Sequence, residues 1–169
     1  YPEATVELID CMKYVNKSIM ALYHNETFIS NGLAQTKKPK DIDPTEYMAI
    51  YYTGGHGVMW DFPDNEELQA IALEIYRNDG YLLSVCHGIA GLLNIKDSEG
   101  QYLISERKIT GFTTTEEILS GMKSKVPFLN QKIAEQRNAH FIKKRFFKEF
   151  AVQDGRIITG QNPFSVRAV

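Results

Sequence analysis

Cys86 is followed at once by His87 and Gly88, and that triplet is where this chain can do covalent chemistry. A thiol beside an imidazole suits nucleophilic attack on an electrophilic carbon, with the histidine moving the proton. The apolar run Tyr81–Val85 predicts a buried strand that ends at Cys86, and a helix is expected from His87 onward. A side chain at that junction projects from the carboxyl edge of the sheet, where open α/β folds bind ligands. The helix N-terminus is expected to favour a thiolate, and a tight strand-to-helix turn brings the imidazole beside the sulfur. Gly88 lets the turn tighten. The bland alternative for Cys86 is a small buried hydrophobe, and for His87 a capping residue.

A second constellation, Gly54-Gly55-His56-Gly57, follows the apolar run Tyr47–Thr53. Parallel neighbouring strands end on one sheet edge, so this loop is expected beside Cys86, with backbone N–H groups for a developing oxyanion. A flexible glycine turn with a surface histidine is the plainer reading. Asp61, within Trp60-Asp61-Phe62-Pro63, is expected to cap the next helix or wall the pocket, with Trp60 and Phe62 as apolar cover. Glu116 and Glu117 follow Thr113–Thr115, a capping pattern, and their default role is in the helix dipole. Either can also orient His87. His24, His56, His87 and His140 show neither HExxH nor paired CxxC spacing, so no metal is expected, and no phosphate-binding glycine motif is present. Cys11 falls in a helix-like stripe and is read as packing.

The elements that must position these residues follow from periodicity. Val6–Tyr23 carries apolar residues at three- and four-residue steps and predicts a helix laid against a core, with Asn25 capping a shorter one through Ala34. Asp43-Pro44 marks a turn. Residues 64–78 place Leu68, Ile71, Ala72 and Ile75 on one face, with Glu66 and Glu67 in the first turn. Short strands are expected over 108–112, 150–153 and 157–159, the last two joined at Asp154-Gly155, with helices over 116–122 and 129–138. Strand, helix, strand, helix predicts crossovers and a mainly parallel sheet: an α/β sandwich read as one domain over 1–169.

Composition bounds the function. The 169 residues are 43% hydrophobic and 24% charged, with a net charge of −2, which leaves no footprint for nucleic acid or an anionic membrane. No run approaches a membrane span. Two cysteines are too few for a disulfide framework, and the cytoplasm is the expected compartment. Tyr1 is not an initiator Met, so the chain is expected to be processed or to begin within a longer protein.

The stretches Thr53-Gly54-Gly55-His56-Gly57-Val58-Met59-Trp60-Asp61-Phe62-Pro63 and Ser84-Val85-Cys86-His87-Gly88 together resemble the ThiJ/PfpI superfamily of class I glutamine amidotransferase-like proteins. Ile109–Phe112, Glu116-Glu117, Val126–Leu129 and Thr159–Pro163 resemble its heat-shock chaperone and glyoxalase III branch. The resemblance runs from about Asp41 onward. It implies a flavodoxin-like three-layer sandwich, often homodimeric, and a cofactor-independent conversion of the small aldehyde methylglyoxal to D-lactate. It also implies that Cys86 matches the nucleophile, His87 its partner, and Gly55 with the His87 backbone the oxyanion-hole donors. Deglycase action, holdase chaperoning with Cys86 as an oxidation sensor, and cysteine amidase or peptidase activity are the alternatives. The amidase reading requires a carboxylate on the second ring nitrogen of His87. The family's first strand, helix and strand, with a glutamate touching the nucleophile, find no match in Tyr1–Lys40. That portion is expected to be missing or supplied by a separate fragment.

Overall fold

The computed structural model describes residues 16–169, which fall into two compact units divided after Asp41. Of the expected helix over Val6–Tyr23, the part holding Cys11 lies outside the described residues. In the first unit, helix α1 (Lys17–Tyr23) starts where the Asn16 side chain accepts from the N–H groups of Ser18 and Ile19, both at 3.1 Å. Asn25 caps the next helical stretch by accepting from Phe28 N–H at 2.8 Å, as its sequence position predicts. The stripe expected to face a core contains no buried residue in α1. A helix this short carries too little apolar surface to bury a face within its own unit.

The second unit, 42–169, is an α/β fold built on a four-stranded sheet of order β1-β2-β6-β5. Strands β1 (Ala49–Tyr52), β2 (Tyr81–Val85) and β6 (Ile157–Gly160) run parallel. Strand β5 (Ala151–Asp154) pairs antiparallel with β6 through a turn at Gly155, as the Asp-Gly dipeptide predicts. β3 (Lys108–Ile109) and β4 (His140–Phe141) form a separate parallel pair, much shorter than the strand expected over 108–112.

Helix α2 (Glu66–Arg77) crosses between β1 and β2. Its Ile71, Ala72 and Ile75 are buried, Glu66 and Glu67 sit in its first turn and Arg77 in its last, matching the macrodipole. Its cap is Asn65, whose side chain accepts from Leu68 N–H at 3.1 Å. Asp61 makes no capping side-chain bond and is exposed, so the capping role expected of it goes to Asn65. The main core joins Tyr52, Ala72, Leu82, Ile89, Leu92, Leu93, Ile104, Ile109 and Ile157, with Phe62 set edge-on to Tyr52.

Helices α3 (Thr114–Leu119) and α4 (Asn130–Gln136) follow, both close to expectation. Thr113 and Glu116 close a capping box on α3: Glu116 N–H donates to Thr113 Oγ1 at 3.1 Å while Thr113 N–H donates to Glu116 Oε2 at 3.0 Å. The other oxygen of Glu116 accepts from Phe147 N–H (2.9 Å), Gln161 Nε2 (3.0 Å) and Asn162 Nδ2 (2.8 Å). One fully buried carboxylate thus ties α3 to the loop before β5 and to the segment after β6. Among the described residues, no helix is long and apolar enough to cross a membrane.

Two stability measurements check this packing. Leu82→Ala, at a fully buried central-strand position, is expected to cost about 2–5 kcal/mol in urea unfolding, against less than about 0.5 for the half-exposed Leu119→Ala. Glu116→Leu strips several buried donors of their acceptor and is expected to cost about 2–3 kcal/mol; an unchanged midpoint would show that the carboxylate anchors nothing.

Candidate active site

Strand β2 delivers Cys86 with a backbone φ of +59°, a left-handed conformation that an L residue adopts only under constraint. The constraint is visible on both sides of the turn. A Cβ on Gly88 would stand 2.1 Å from the Tyr52 carbonyl oxygen, so the segment after Cys86 packs directly on β1 and only glycine fits. That segment, Cys86–Leu92, is a buried 3₁₀-helix rather than the α-helix expected from His87. Its close seating on Tyr52, at Gly88 and again at Gly91, leaves no room for side chains along that face.

The sharp turn brings neighbours in sequence into contact. Cys86 Sγ lies 3.3 Å from His87 Nδ1. The opposite ring nitrogen, His87 Nε2, lies 2.9 Å from Glu117 Oε2, and the second oxygen of the same carboxylate lies 2.9 Å from His56 Nε2. A carboxylate accepts only, so both histidines present an Nε2–H to Glu117. His87 Nδ1 is then left with a lone pair facing the thiol. The two imidazoles stand 4.0 Å apart centre to centre, and Phe112 covers His87 at 4.3 Å.

Burial governs the charges. Burial pushes the Cys86 thiol up to about 12, aided by the negative fields of Glu116 and Glu117 and opposed by the backbone N–H groups of His87 and Gly55. Burial also lowers the pKa of His87, against the hydrogen bond to Glu117, which raises it. Burial would raise Glu117, but the hydrogen bonds from His56 and His87 prevail and hold it down at about 2. At neutral pH the chain of groups is thiol, neutral imidazole and carboxylate. The thiolate expected from a helix dipole is therefore corrected: Cys86 is only 6% exposed, in a small apolar cluster with Val85, Phe112 and Phe147, and its desolvation outweighs the nearby N–H groups.

The structure brings most of the expected site residues together. Gly54 lies against Cys86, where an added Cβ would come within 2.9 Å of the Cys86 Cβ. Gly55, at φ +111°, turns its N–H toward the sulfur, and His56 reaches Glu117. Gly57 opens to solvent. Of the acidic pair, Glu117 holds His87, whereas Glu116 anchors α3. Trp60, expected as apolar cover, is 59% exposed. Sequence reasoning did not pair His56 with Glu117, nor assign Phe112 and Phe147 as walls; residues so far apart in the chain leave no spacing signal.

No protein-family model matches the chain. It is 38% identical over 140 residues to Glyoxalase 3 of Candida albicans, covering 79% of this chain and 59% of that protein. It is 34% identical over 151 residues to the glutathione-independent glyoxalase HSP31 of Saccharomyces cerevisiae, covering 86% and 64%. The chain therefore spans about three-fifths of the length of these relatives. The crystal structure of glyoxalase III from Candida albicans superposes with a TM-score of 0.83 at 34% identity, over 90% of this chain and 67% of that one. On that likeness the fold is the flavodoxin-like one expected from the sequence, and the chain belongs to the ThiJ/PfpI superfamily, in its glyoxalase III branch.

Proposed function

We propose that this chain carries the catalytic centre of a cofactor-independent glyoxalase that converts methylglyoxal to D-lactate. The observation that carries the reading is the unbroken contact chain from Cys86 Sγ through His87 to Glu117, at 3.3 and 2.9 Å, in a protein whose relatives are named glyoxalases.

Because the resting sulfur is a thiol, attack is coupled to proton transfer. As Sγ forms its bond to the aldehyde carbon, the thiol proton passes to His87 Nδ1 and the carbonyl π pair moves to oxygen. The N–H groups of Gly55 and His87, already directed at the sulfur, are in reach of that oxyanion. Glu117 holds the imidazole in the accepting tautomer and stabilises the imidazolium that forms. The imidazolium returns its proton to that oxygen, which completes the hemithioacetal and frees Nδ1; a base then removes the hydrogen from the former aldehyde carbon to give an enediol, and reprotonation at the adjacent carbon leaves a lactoyl thioester. Water then cleaves the C–S bond, releasing D-lactate and restoring the thiol. His87 serves as the base, and Gly54, Gly57 and the exposed face of His56 line the approach. A cytoplasmic setting, expected from the two cysteines, and a homodimeric assembly, implied by the resemblance, belong to the same reading.

A cysteine amidase or peptidase is the second reading, favoured by the carboxylate on the second ring nitrogen of His87. The oxidation-sensor alternative requires an accessible, low-pKa thiolate, and neither the burial nor the electrostatics of Cys86 supplies one.

Incubation with methylglyoxal is expected to yield D-lactate with the wild type and none with Cys86→Ala. Glu117→Gln is expected to lower kcat by about a hundredfold or more. Equal turnover by wild type and Cys86→Ala rules the mechanism out, and hydrolysis of an amide without any D-lactate favours the second reading. The state of the thiol is checked by iodoacetamide. A thiol pushed up to about 12 is alkylated slowly near neutral pH, and the rate climbs roughly tenfold per unit through pH 10 without a plateau; a rate already level at pH 7 would mean a resident thiolate.

A further inference from the structure

One donor atom each of His56, His87 and Glu117 lie within 4.8 Å of one another, and both imidazoles meet the carboxylate through Nε2. We propose that these three residues form an inhibitory binding site for a divalent cation of the zinc type, which shuts the nucleophile off by capturing its base.

The arrangement is two imidazoles and one carboxylate converging on a point, the donor set that zinc takes with a fourth position left to water. Donor atoms around a tetrahedral zinc stand about 3.3 Å apart. Each imidazole stands 2.9 Å from its own oxygen of Glu117, Oε1 for His56 and Oε2 for His87, so the carboxylate bridges the two nitrogens at a separation near that value. Glu117 is ionised and carries the negative charge a cation requires. His56 is half-buried, with about a third of its side chain exposed, so one ligand faces solvent and gives the ion an entry path. The motif spacings that sequence reading relies on miss this site, because its ligands are separated by about thirty residues at each step and meet only through the fold.

The cation would occupy the position of the two Nε2 protons. A neutral imidazole bound through Nε2 carries its proton on Nδ1 instead, so each histidine changes tautomer with no net proton lost. For His87, that proton now points at Cys86 Sγ, on the opposite edge of the ring from the cation. A ring with N–H toward the sulfur cannot accept the thiol proton, and the general base is gone. Cys86 itself is not a ligand, since its sulfur faces Nδ1. The binding stands on the geometry of the three ligands and the charge of Glu117; the inhibition rests on the proposed reaction.

The test is titration of the chain with Zn²⁺ against a chromophoric chelator, with the fold of each variant checked by circular dichroism. One ion is expected per chain, with Cys86→Ala binding as wild type does, and His56→Gln weakening affinity at least about tenfold. A Co²⁺ complex is expected to show ligand-field bands without a thiolate charge-transfer band. Absence of saturable one-to-one binding overturns the site. So does binding that survives His56→Gln unchanged or disappears with Cys86→Ala. In turnover assays zinc is expected to abolish D-lactate formation, and EDTA to restore it. Tight binding with undiminished turnover overturns the inhibition while leaving the site. A chain that binds zinc as expected yet makes no D-lactate before zinc is added separates failure of the proposed reaction from failure of the site.

Discussion

One carboxylate, that of Glu117, fixes the hydrogen bonding around Cys86. It accepts from two histidines at once, each at 2.9 Å, and in doing so dictates which nitrogen of His87 carries a proton. The nitrogen left bare faces the thiol. Without that constraint His87 would be a buried imidazole free to take either tautomer, and the sulfur, desolvated among Val85, Phe112 and Phe147, would have no base to activate it. The site is therefore closer in logic to a serine hydrolase than to an enzyme with a resident thiolate. In the proposed reaction the thiol stays neutral until the substrate arrives.

The fold exists around that carboxylate in a specific sense. Glu117 is delivered by a short helix, α3, whose adjacent residue Glu116 is held by donors from the loop at Phe147 and from Gln161 and Asn162 after β6. Successive helical residues point about 100° apart, so one glutamate serves the scaffold and its neighbour the site. Cys86 is delivered from the other direction, by β2 and a turn whose positive φ is enforced where Gly88 sits on the Tyr52 carbonyl. Two rigid supports meet at the imidazole of His87.

Much of this was legible in the sequence, because local signals sufficed. The alternation of apolar runs with a 3.6-residue stripe over 64–78 identified β1, α2 and β2, and the Cys-His-Gly triplet at the end of β2 marked the elbow. The glycine loop beside it followed from parallel strands ending on one edge. What stayed hidden depended on tertiary distance or on solvation. Glu116 and Glu117 looked equivalent after Thr113, and only the packing around Gln161 and Asn162 separates their roles. The thiolate expectation failed because helix-end N–H groups are visible in a sequence, whereas the depth of burial that opposes them is not. His56 was expected in the glycine loop as a substrate-binding or surface residue, and its contact with Glu117 left no trace in the spacing.

The central claim is about one proton, and ¹⁵N NMR of histidine-labelled, metal-free protein at neutral pH observes it directly. The account predicts that His87 is neutral, with its proton on Nε2 toward Glu117 and a bare Nδ1 toward Cys86. A proton on Nδ1, or an imidazolium paired with a thiolate, would contradict it.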